Sequence, residues 1–310
     1  MADRLDVLAM GEALIEFNQA RRDDPRAFVQ GFGGDTSNTA IAASRLGARA
    51  GYVTRVGDDL FGRWLLDLWR DEGVDTRAVA IDADAPTGLY FVTHGERGHD
   101  FTYRRAGSAA ARMSAGTLPV DALRATRFLH VSAISEAISP SAADACTAAI
   151  AVARDAGAHI VYDTNLRLKL WTLARAREVI RATLRHVDWA LPSLDDAREI
   201  YGVDDAEAIV AAILGDGARN VVLKRGVEGC IVAAGTARTR IAAHRVDALD
   251  ATGAGDCFDG AFVARLCAGD DPVRAATYAN AAAALSTRGY GAVAPLPRPA
   301  DVAALLGASC

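Results

Sequence analysis

The chain has 310 residues, of which 51% are hydrophobic and 24% are charged, and its formal net charge is -5. That length supplies one large core, or a main core with a small appendage. The negative charge and the scattered arginines argue against a nucleic-acid binder, which usually presents a basic face, and no stretch approaches the roughly 20 uninterrupted apolar residues of a membrane helix.

Short apolar runs of strand length alternate with longer amphipathic runs along the chain. The runs with strand character cover residues 7–10, 51–56, 128–131, 160–162, 189–191 and 221–223. The runs with helical periodicity cover residues 36–46, 61–72, 141–156, 173–186 and 206–214. This order predicts an α/β fold, with a doubly wound, mostly parallel sheet covered by helices on both faces.

Two segments interrupt this alternation. Residues 12–34 are polar and carry arginines, and residues 87–111 contain GLYFVTHGERGHDFTYRR, whose alternation and GERG turn predict a β-hairpin. Neither segment is long enough to form a domain. We therefore expect one domain over residues 1–310, with the two segments inserted as a small sheet that covers the main sheet like a lid.

Cysteine usage indicates a reducing compartment. The five cysteines are widely spaced and odd in number: Cys146, Cys230, Cys257, Cys267 and Cys310. Neither they nor the six histidines have the spacing of a metal site. The sequence shows no signal-peptide pattern at Met1 to Arg4. Together with the cysteine usage, this predicts a cytoplasmic protein with free thiols. We interpret Cys257 as a small core residue rather than a nucleophile.

The clearest local motif is LDATGAGDCFDG at residues 249–260. Apolar residues follow it at helical spacing, so Gly253-Ala254-Gly255 falls at the start of a helix, where backbone N–H groups lack intrahelical partners. Glycines let such a turn approach an anion, and the helix dipole favours negative charge there. Asp256 is then either a modest stabiliser of the helix or a base that accepts a hydroxyl proton beside a phosphoryl group.

A second glycine cluster, GGDTSNTA at residues 33–40, precedes the first predicted helix. Gly33 and Gly34 permit close backbone approach, and Asp35 and Asn38 are either helix caps or hydrogen-bonding partners of a polyhydroxylated ligand. Other nucleotide motifs are missing from the sequence, including the Walker A loop, the dinucleotide fingerprint and the protein-kinase signatures.

These residues resemble the ribokinase-like, or pfkB, family of carbohydrate kinases, from Gly11 to about Pro297. The segment GGDTSNTAIAASRLGARAGYVTRVGDDLFG is similar to the family's N-terminal signature, and DATGAGDCFDGAF is similar to its C-terminal signature. The resemblance implies a Rossmann-like core with a small β-sheet lid, ATP as phosphoryl donor and Mg²⁺, and it leaves a monovalent-cation requirement open. It also implies Asp256 as the base, with the amides of Gly253, Ala254 and Gly255 as an anion hole.

Within the family, five segments resemble the 2-dehydro-3-deoxygluconokinases: GEALIEF, TYRRAGSAA, HVSAISEAISP, YDTNLRLKLW and VVLKRGVEG. The resemblance implies a small-molecule sugar acid as substrate and a homo-oligomer formed through the lid. The implied substrate contacts, with Asn38 added from the glycine cluster, are Gly34, Asn38, Tyr90, Tyr103, Arg105 and Arg167. The implied nucleotide contacts are Ser193, Lys224, Gly226, Gly229 and Asn280.

Two arginines agree with an acidic substrate. Arg105 on the lid and Arg167 after a core strand are expected to converge over one crevice, where a planar guanidinium pairs bidentately with a carboxylate. The alternative is that Arg167 lies in a solvated loop and Arg105 caps the lid sheet. Many relatives carry Asn-x-x-Glu where this chain has Ser193 to Asp196, so we expect Asp196 to bind Mg²⁺ through water.

The predicted reaction is ATP-dependent phosphorylation of the terminal C6 hydroxyl of 2-keto-3-deoxygluconate, with Asp256 as general base. Two alternatives stay open: a sibling kinase that acts on fructose or another neutral sugar, and a catalytically silent sugar-binding regulatory protein. The missing glycine fingerprint disfavours a dehydrogenase. The role of Tyr290 also stays open.

Overall fold

The computed structural model describes residues 4–21, 24–95 and 98–307. The strands are β1 (Leu5–Met10), β2 (Leu14–Arg21), β3 (Asp24–Gly33), β4 (Ala50–Gly57), β5 (Val79–Asp82), β6 (Leu89–Gly95), β7 (Gly98–Arg104), β8 (Thr126–Ser132), β9 (His159–Asp163), β10 (Trp189–Ala190), β11 (Asn220–Lys224), β12 (Cys230–Ala234) and β13 (Ala237–Ile241). The helices are α1 (Asp35–Arg45), α2 (Leu60–Asp71), α3 (Val120–Arg124), α4 (Ala133–Ala137), α5 (Pro140–Asp155), α6 (Leu173–Leu184), α7 (Leu194–Tyr201), α8 (Ala206–Gly215), α9 (Ala254–Cys267), α10 (Pro272–Ser286) and α11 (Pro299–Leu306).

The main sheet runs in the order β13-β12-β11-β10-β9-β8-β1-β4-β5. The strands from β11 to β5 are parallel, and β12 and β13 complete one edge as antiparallel strands. Since successive side chains of a strand point to opposite faces, Val7 and Leu8 enter two different apolar layers, one on each side of the sheet. The prediction of a doubly wound, mostly parallel sheet is confirmed.

The second sheet has four strands in the order β3-β2-β6-β7. Strands β2 and β3 come from the first interrupting segment and β6 and β7 from the second, so the predicted small sheet is confirmed. Phe17 packs edge-on against Phe61 of α2, with ring centroids 5.9 Å apart, which joins the lid to the main body. The predicted GERG turn includes residues 96 and 97, which lie outside the described residues, as do residues 1–3 and Cys310.

None of the helices in the described ranges is both long enough and apolar enough to cross a bilayer. The prediction of one domain over residues 1–310 stays a prediction.

A buried carboxyl group joins three elements on the face of the sheet that carries α4 and α6. Tyr162 donates a hydrogen bond to one oxygen of Glu136, and the Thr183 hydroxyl donates to the other at 2.7 Å. Burial raises the pKa of Glu136 to about 7, against the two hydrogen bonds that act to lower it. A group whose pKa is higher in the folded chain than in the unfolded chain contributes stability below its unfolded pKa and loses it as the pH rises.

We therefore expect Glu136→Gln to remove part of the pH dependence of stability. The amide cannot lose a proton, so the free energy of unfolding of the variant, relative to the unmodified chain, should rise between about pH 4.5 and about pH 7, by up to about 3 kcal/mol. Urea unfolding at a series of pH values measures this difference. A difference that stays constant with pH would show that Glu136 does not titrate in this range.

Candidate active site

The candidate site lies where the carboxyl ends of the parallel strands meet the beginnings of α1 and α9. Ligands of open α/β sheets gather at this edge, outside the strand ends. Asp163 ends β9 and Lys224 ends β11, and both are buried. The lid strand β3 leads directly into α1 through Gly34, whose φ of 111° is accessible to few residues other than glycine.

The Gly-Ala-Gly turn begins α9 as predicted. Gly253 is the N-cap, with a left-handed φ of 75°, and a Cβ there would lie 2.9 Å from the Cβ of Ala292. The Ala254 amide donates to the carbonyl of Ala251 at 3.1 Å. It would have to leave that bond to join an anion hole, whereas Gly255 is exposed on the same turn.

Asp256 is half-buried in the first turn of α9 and is held by α1. The Asn38 amide donates to a carboxylate oxygen of Asp256 at 2.8 Å, and the Thr39 hydroxyl donates to its backbone carbonyl at 3.3 Å. The two helices come this close because Gly260 lacks a Cβ, which would otherwise stand 2.5 Å from the carbonyl oxygen of Thr39. The predicted residues Asn38 and Asp256 are therefore in direct contact.

The acid–base behaviour of Asp256 suits a base. Burial and the negative charge of nearby Asp35 raise the pKa of Asp256 to about 8, and the Asn38 hydrogen bond acts to lower it. Asp35 itself accepts hydrogen bonds from the Ser132 hydroxyl and, at 3.0 Å, from the Asn165 amide. A carboxylate with a pKa near neutrality both ionises and accepts a proton readily, as general bases do.

The lid brings Tyr90, Tyr103 and Arg105 together. The Tyr90 and Tyr103 rings lie 5.6 Å apart, and the Arg105 guanidinium lies 5.5 Å from the Tyr103 ring centroid. Burial raises the pKa of Tyr90 most, and Glu16 and Asp256 are among the charges that raise it further. The lid face that carries Tyr90 is therefore the one that faces the base.

Two lid carboxylates were missed by the sequence analysis. Glu16 accepts a hydrogen bond from the Tyr90 hydroxyl, and Glu12 forms an ion pair with Arg105 and accepts from Ser108 at 2.7 Å. The side chain of Glu12 is fully buried. The four-residue spacing of the two glutamates in GEALIEF is the sequence signal that points to them. Arg105 thus has a resident counter-ion.

Arg167 has a different environment. It lies exposed in the loop after β9, and its guanidinium donates to the carbonyl of Leu166 at 2.8 Å. Burial raises the pKa of Asp196 while the charge of Arg167 lowers it, so the two side chains are neighbours. This placement matches part of the alternative, in which Arg167 occupies a solvated loop. Convergence of Arg167 with Arg105 over one crevice stays a prediction.

The predicted nucleotide residues cluster around the ends of β10 and β11. Ser193 caps α7 by accepting from the amide of Asp196 at 3.1 Å. Gly226 and Gly229 have φ values of 54° and 85°, and a Cβ on Gly229 would overlap the carbonyl oxygen of Ile241. Asn280, on α10, is buried and lies 3.5 Å from the carbonyl oxygen of Ala242.

The carboxylate predicted to bind the metal is that of Asp196. In the described part of the chain, no three His, Cys, Asp or Glu side chains are grouped so as to hold a metal ion. Mg²⁺ in phosphoryl-transfer sites keeps several waters and needs only one or two carboxylates besides the phosphates. The carboxylate of Asp196, next to the Ser193 cap, fits that limited requirement.

A cavity of about 1010 Å³ lies between the lid and the loops that precede α9 and follow α10. Glu16, Gly31 and Val92 line it from the lid, and Asp250 and Tyr290 line it from the loops. Tyr290 is 76% exposed. The volume and the mixture of apolar and charged groups suit a small polar ligand.

Comparison with known proteins agrees with this geometry. The family described as pfkB family carbohydrate kinase matches residues 4–299. The chain is 35% identical to a 2-dehydro-3-deoxygluconokinase of Thermoproteus tenax, over 96% of this chain and 93% of that protein. It is 34% identical to fructokinase-1 of Zea mays, over 98% of each. Among solved structures, a putative ribokinase II of E. coli in complex with ATP and Mg²⁺ superposes with a TM-score of 0.90 at 26% identity, covering 98% of this chain and 99% of that one.

Proposed function

The chain belongs to the pfkB family of carbohydrate kinases, and we propose that it transfers the γ-phosphoryl group of ATP to the C6 hydroxyl of 2-keto-3-deoxygluconate. The observation that carries the chemistry is the position of Asp256. Its carboxylate lies in the first turn of α9, next to the glycine turn, and its pKa is raised by burial to about 8. Phosphoryl transfer needs that combination of a base and an anion-stabilising turn.

In the proposed reaction, Asp256 accepts the proton of the C6 hydroxyl. The hydroxyl oxygen forms a bond to the γ-phosphorus as the bond from that phosphorus to the ADP oxygen breaks. The amides of Gly253 and Gly255, with that of Ala254 once it leaves Ala251, would stabilise the charge on the transferring group. Asn38 orients the carboxylate, because its amide donates to one oxygen and leaves the other for the substrate.

Nucleotide binding is assigned to the opposite end of the crevice. We propose that the loops around Ser193, Gly226 and Gly229 hold ATP, that Lys224 and Asn280 line the same site, and that Asp196 holds Mg²⁺ through water. The metal supplies neutralisation of phosphate charge. The positive φ angles at Gly226 and Gly229 support a turn whose backbone closely approaches a ligand.

Substrate choice is assigned to the arginines. We propose that Gly34, Tyr90 and Tyr103 border the sugar, and that its carboxylate pairs with Arg167, with Arg105 as a further contact. Because Glu12 already neutralises Arg105, Arg167 supplies most of the net positive charge. The ion pair between Glu12 and Arg105 also favours the second candidate, which is a kinase for fructose or another neutral sugar. In addition, fructokinase-1 of Zea mays is 34% identical to the chain.

A coupled ADP-release assay with ATP and Mg²⁺ tests the proposal. It compares 2-keto-3-deoxygluconate, fructose, ribose and gluconate at equal concentrations. We expect the highest kcat/KM on the keto-deoxy acid. A preference for fructose or ribose would keep the family and overturn the substrate, and no turnover on any of the four would favour a silent sugar-binding protein.

We expect Asp35→Asn to shift the pH dependence of this activity. A base must be ionised, so kcat/KM falls below the pKa of Asp256. Removing the charge of Asp35 removes the largest electrostatic contribution that raises this pKa, so the acidic limb should move to lower pH. The measurement is kcat/KM from about pH 5 to about pH 9, with the exposed Asp144→Asn on α5 as matched control. An unmoved acidic limb would contradict the assignment of that limb to Asp256.

A homo-oligomer formed through the lid and a cytoplasmic location stay predictions. Light scattering on the purified chain measures the first, and fractionation of the source cells measures the second.

A further inference from the structure

A buried cluster of ionisable side chains lies beneath the glycine turn, and the proposed reaction leaves most of it unused. The Lys224 ammonium donates to Asp163 at 3.1 Å and to Asp259 at 2.9 Å. On the far side of Asp259, the His130 ring approaches the second carboxyl oxygen at 3.6 Å. The side chain of Asp259 is fully buried, and that of Lys224 is 11% exposed. Groups of this kind are costly to bury unless they are paired.

Burial and the Lys224 charge shift the pKa values of the cluster in opposite directions. Burial acts to raise the pKa of Asp163, but Lys224 lowers it overall, so Asp163 is ionised. Burial raises the pKa of Asp259 well above its ordinary value, against the charge of Lys224, which acts to lower it. Burial lowers the pKa of His130 to about 4, so its ring is neutral. The Lys224 ammonium therefore lies between Asp163 and Asp259 and donates to both carboxyl groups.

The cluster also joins the catalytic turn to the sheet. Asp259 lies three residues after Asp256 on α9, and Lys224 and Asp163 end β11 and β9. The Lys224 nitrogen stands 3.6 Å from the position that a Cβ on Gly255 would occupy, so the ammonium packs against the turn itself. The beginning of α9 is therefore fixed from below by Asp259 and Lys224, and from α1 by Asn38.

We propose that Asp259 and Lys224 are positioning residues for phosphoryl transfer, which hold the 253–255 turn and the Asp256 carboxylate in register with the strand ends. This inference rests on the proposed function. It adds Asp259 to the site and gives Lys224 a positioning role besides its place beside the nucleotide, since two of the three ammonium donors are already committed to carboxyl oxygens. A small displacement of a catalytic group lowers the rate of the reaction.

The test compares Asp259→Ala with Asp259→Asn. The Asn side chain keeps the shape of Asp259 and an oxygen that can accept from Lys224, whereas Ala removes that hydrogen bond. We expect Asp259→Ala to lower kcat by about 10- to 100-fold, because misplacement of a catalytic group by about 1 Å can cost about 100-fold in rate. The KM values for ATP and sugar should change by less than about threefold, and Asp259→Asn should restore kcat to within about threefold of the unmodified enzyme.

Cys257→Ala is the matched control for loss of packing. Cys257 is fully buried in the same helical turn but lies in the apolar layer rather than in the cluster. We expect this variant to lose stability and keep its kcat. All variants are assayed well below their unfolding temperatures, which circular dichroism gives.

The Lys224→Met variant gives a second measurement, the pH dependence of kcat/KM, which a purely structural role of Lys224 would not change. Without the ammonium, the charge of Asp163 is uncompensated, and Asp163 is among the groups that raise the pKa of Asp256. The acidic limb of kcat/KM should therefore move to higher pH. A raised KM for ATP with an unmoved limb would instead assign Lys224 to nucleotide contact.

The outcomes separate this inference from the proposed function. An unmodified chain without turnover on any sugar refutes the proposed function, and the inference with it. An active unmodified chain whose Asp259→Ala variant loses stability but keeps kcat refutes the inference alone. If Lys224→Met does not fold, the Asp259 pair still decides between the two roles.

Discussion

Asp256→Asn should lower kcat by about 10²–10⁴-fold, the usual contribution of a general base. The substitution preserves shape, and the new amide oxygen can still accept the hydrogen bond from Asn38, so the variant isolates the loss of a proton acceptor from a loss of packing. Steady-state kinetics with saturating ATP and sugar measure the effect. KM values should change much less than kcat, since the carboxylate acts on the reacting hydroxyl.

The same substitution should raise stability near pH 8. Burial and the charge of Asp35 raise the pKa of Asp256 to about 8 in the folded chain, so the unmodified protein loses stability as the pH rises towards that value. The Asn variant has no proton to lose, and its unfolding temperature at about pH 8 should exceed that of the unmodified chain.

A variant that keeps more than about a tenth of the activity would contradict the role of Asp256 as base.

Arg167→Met should lower kcat/KM for 2-keto-3-deoxygluconate by about 10- to 100-fold, as expected for loss of a charge-assisted, bidentate pair. Turnover of fructose, if any, should be unchanged, because a neutral sugar has no carboxylate to pair. The kcat/KM of Arg167→Lys for the keto-deoxy acid should lie between those of Arg167→Met and the unmodified chain. An ammonium offers charge without the planar fork of a guanidinium. Equal losses on the acid and on fructose would contradict selection of the substrate by charge.

Arg167 is the better arginine for this experiment because Arg105 is paired with the buried Glu12. Replacing Arg105 leaves a carboxylate without its partner, which commonly costs about 3–5 kcal/mol of stability, so activity and folding would change together. Arg124→Met, at the exposed end of α3, is the control for loss of one positive charge.

The elements with a strong apolar pattern were predictable from the sequence. The strands at residues 7–10 and 221–223 are buried on both faces and therefore read as continuous apolar runs. The glycine turn before α9 was predictable because Gly253 requires a left-handed φ, which leaves a visible residue preference. Strands β5 and β12 were missed, and β5 lies at an edge of the sheet and carries a weaker pattern.

The polar contacts of the site were harder to predict. Glu12 and Glu16 belong to an arginine-bearing, polar segment, and a single sequence does not distinguish a carboxylate that pairs with Arg105 from one that faces water. Asn280 carried no local signal of burial within an alanine-rich helix. Lys224 and Asp259 are 35 residues apart, so their contact follows only from the sheet order that brings β11 and α9 together.

The most direct test of the central claim is to identify the phosphorylated product. The purified chain is incubated with ATP, Mg²⁺ and 2-keto-3-deoxygluconate, and phosphorus NMR locates the new ester while ADP is counted. We predict a single monoester on C6, formed in equal amount with ADP and absent with Asp256→Asn. ADP formed without an ester, an ester on another carbon, or phosphorylation of fructose but not of the keto-deoxy acid would contradict the account.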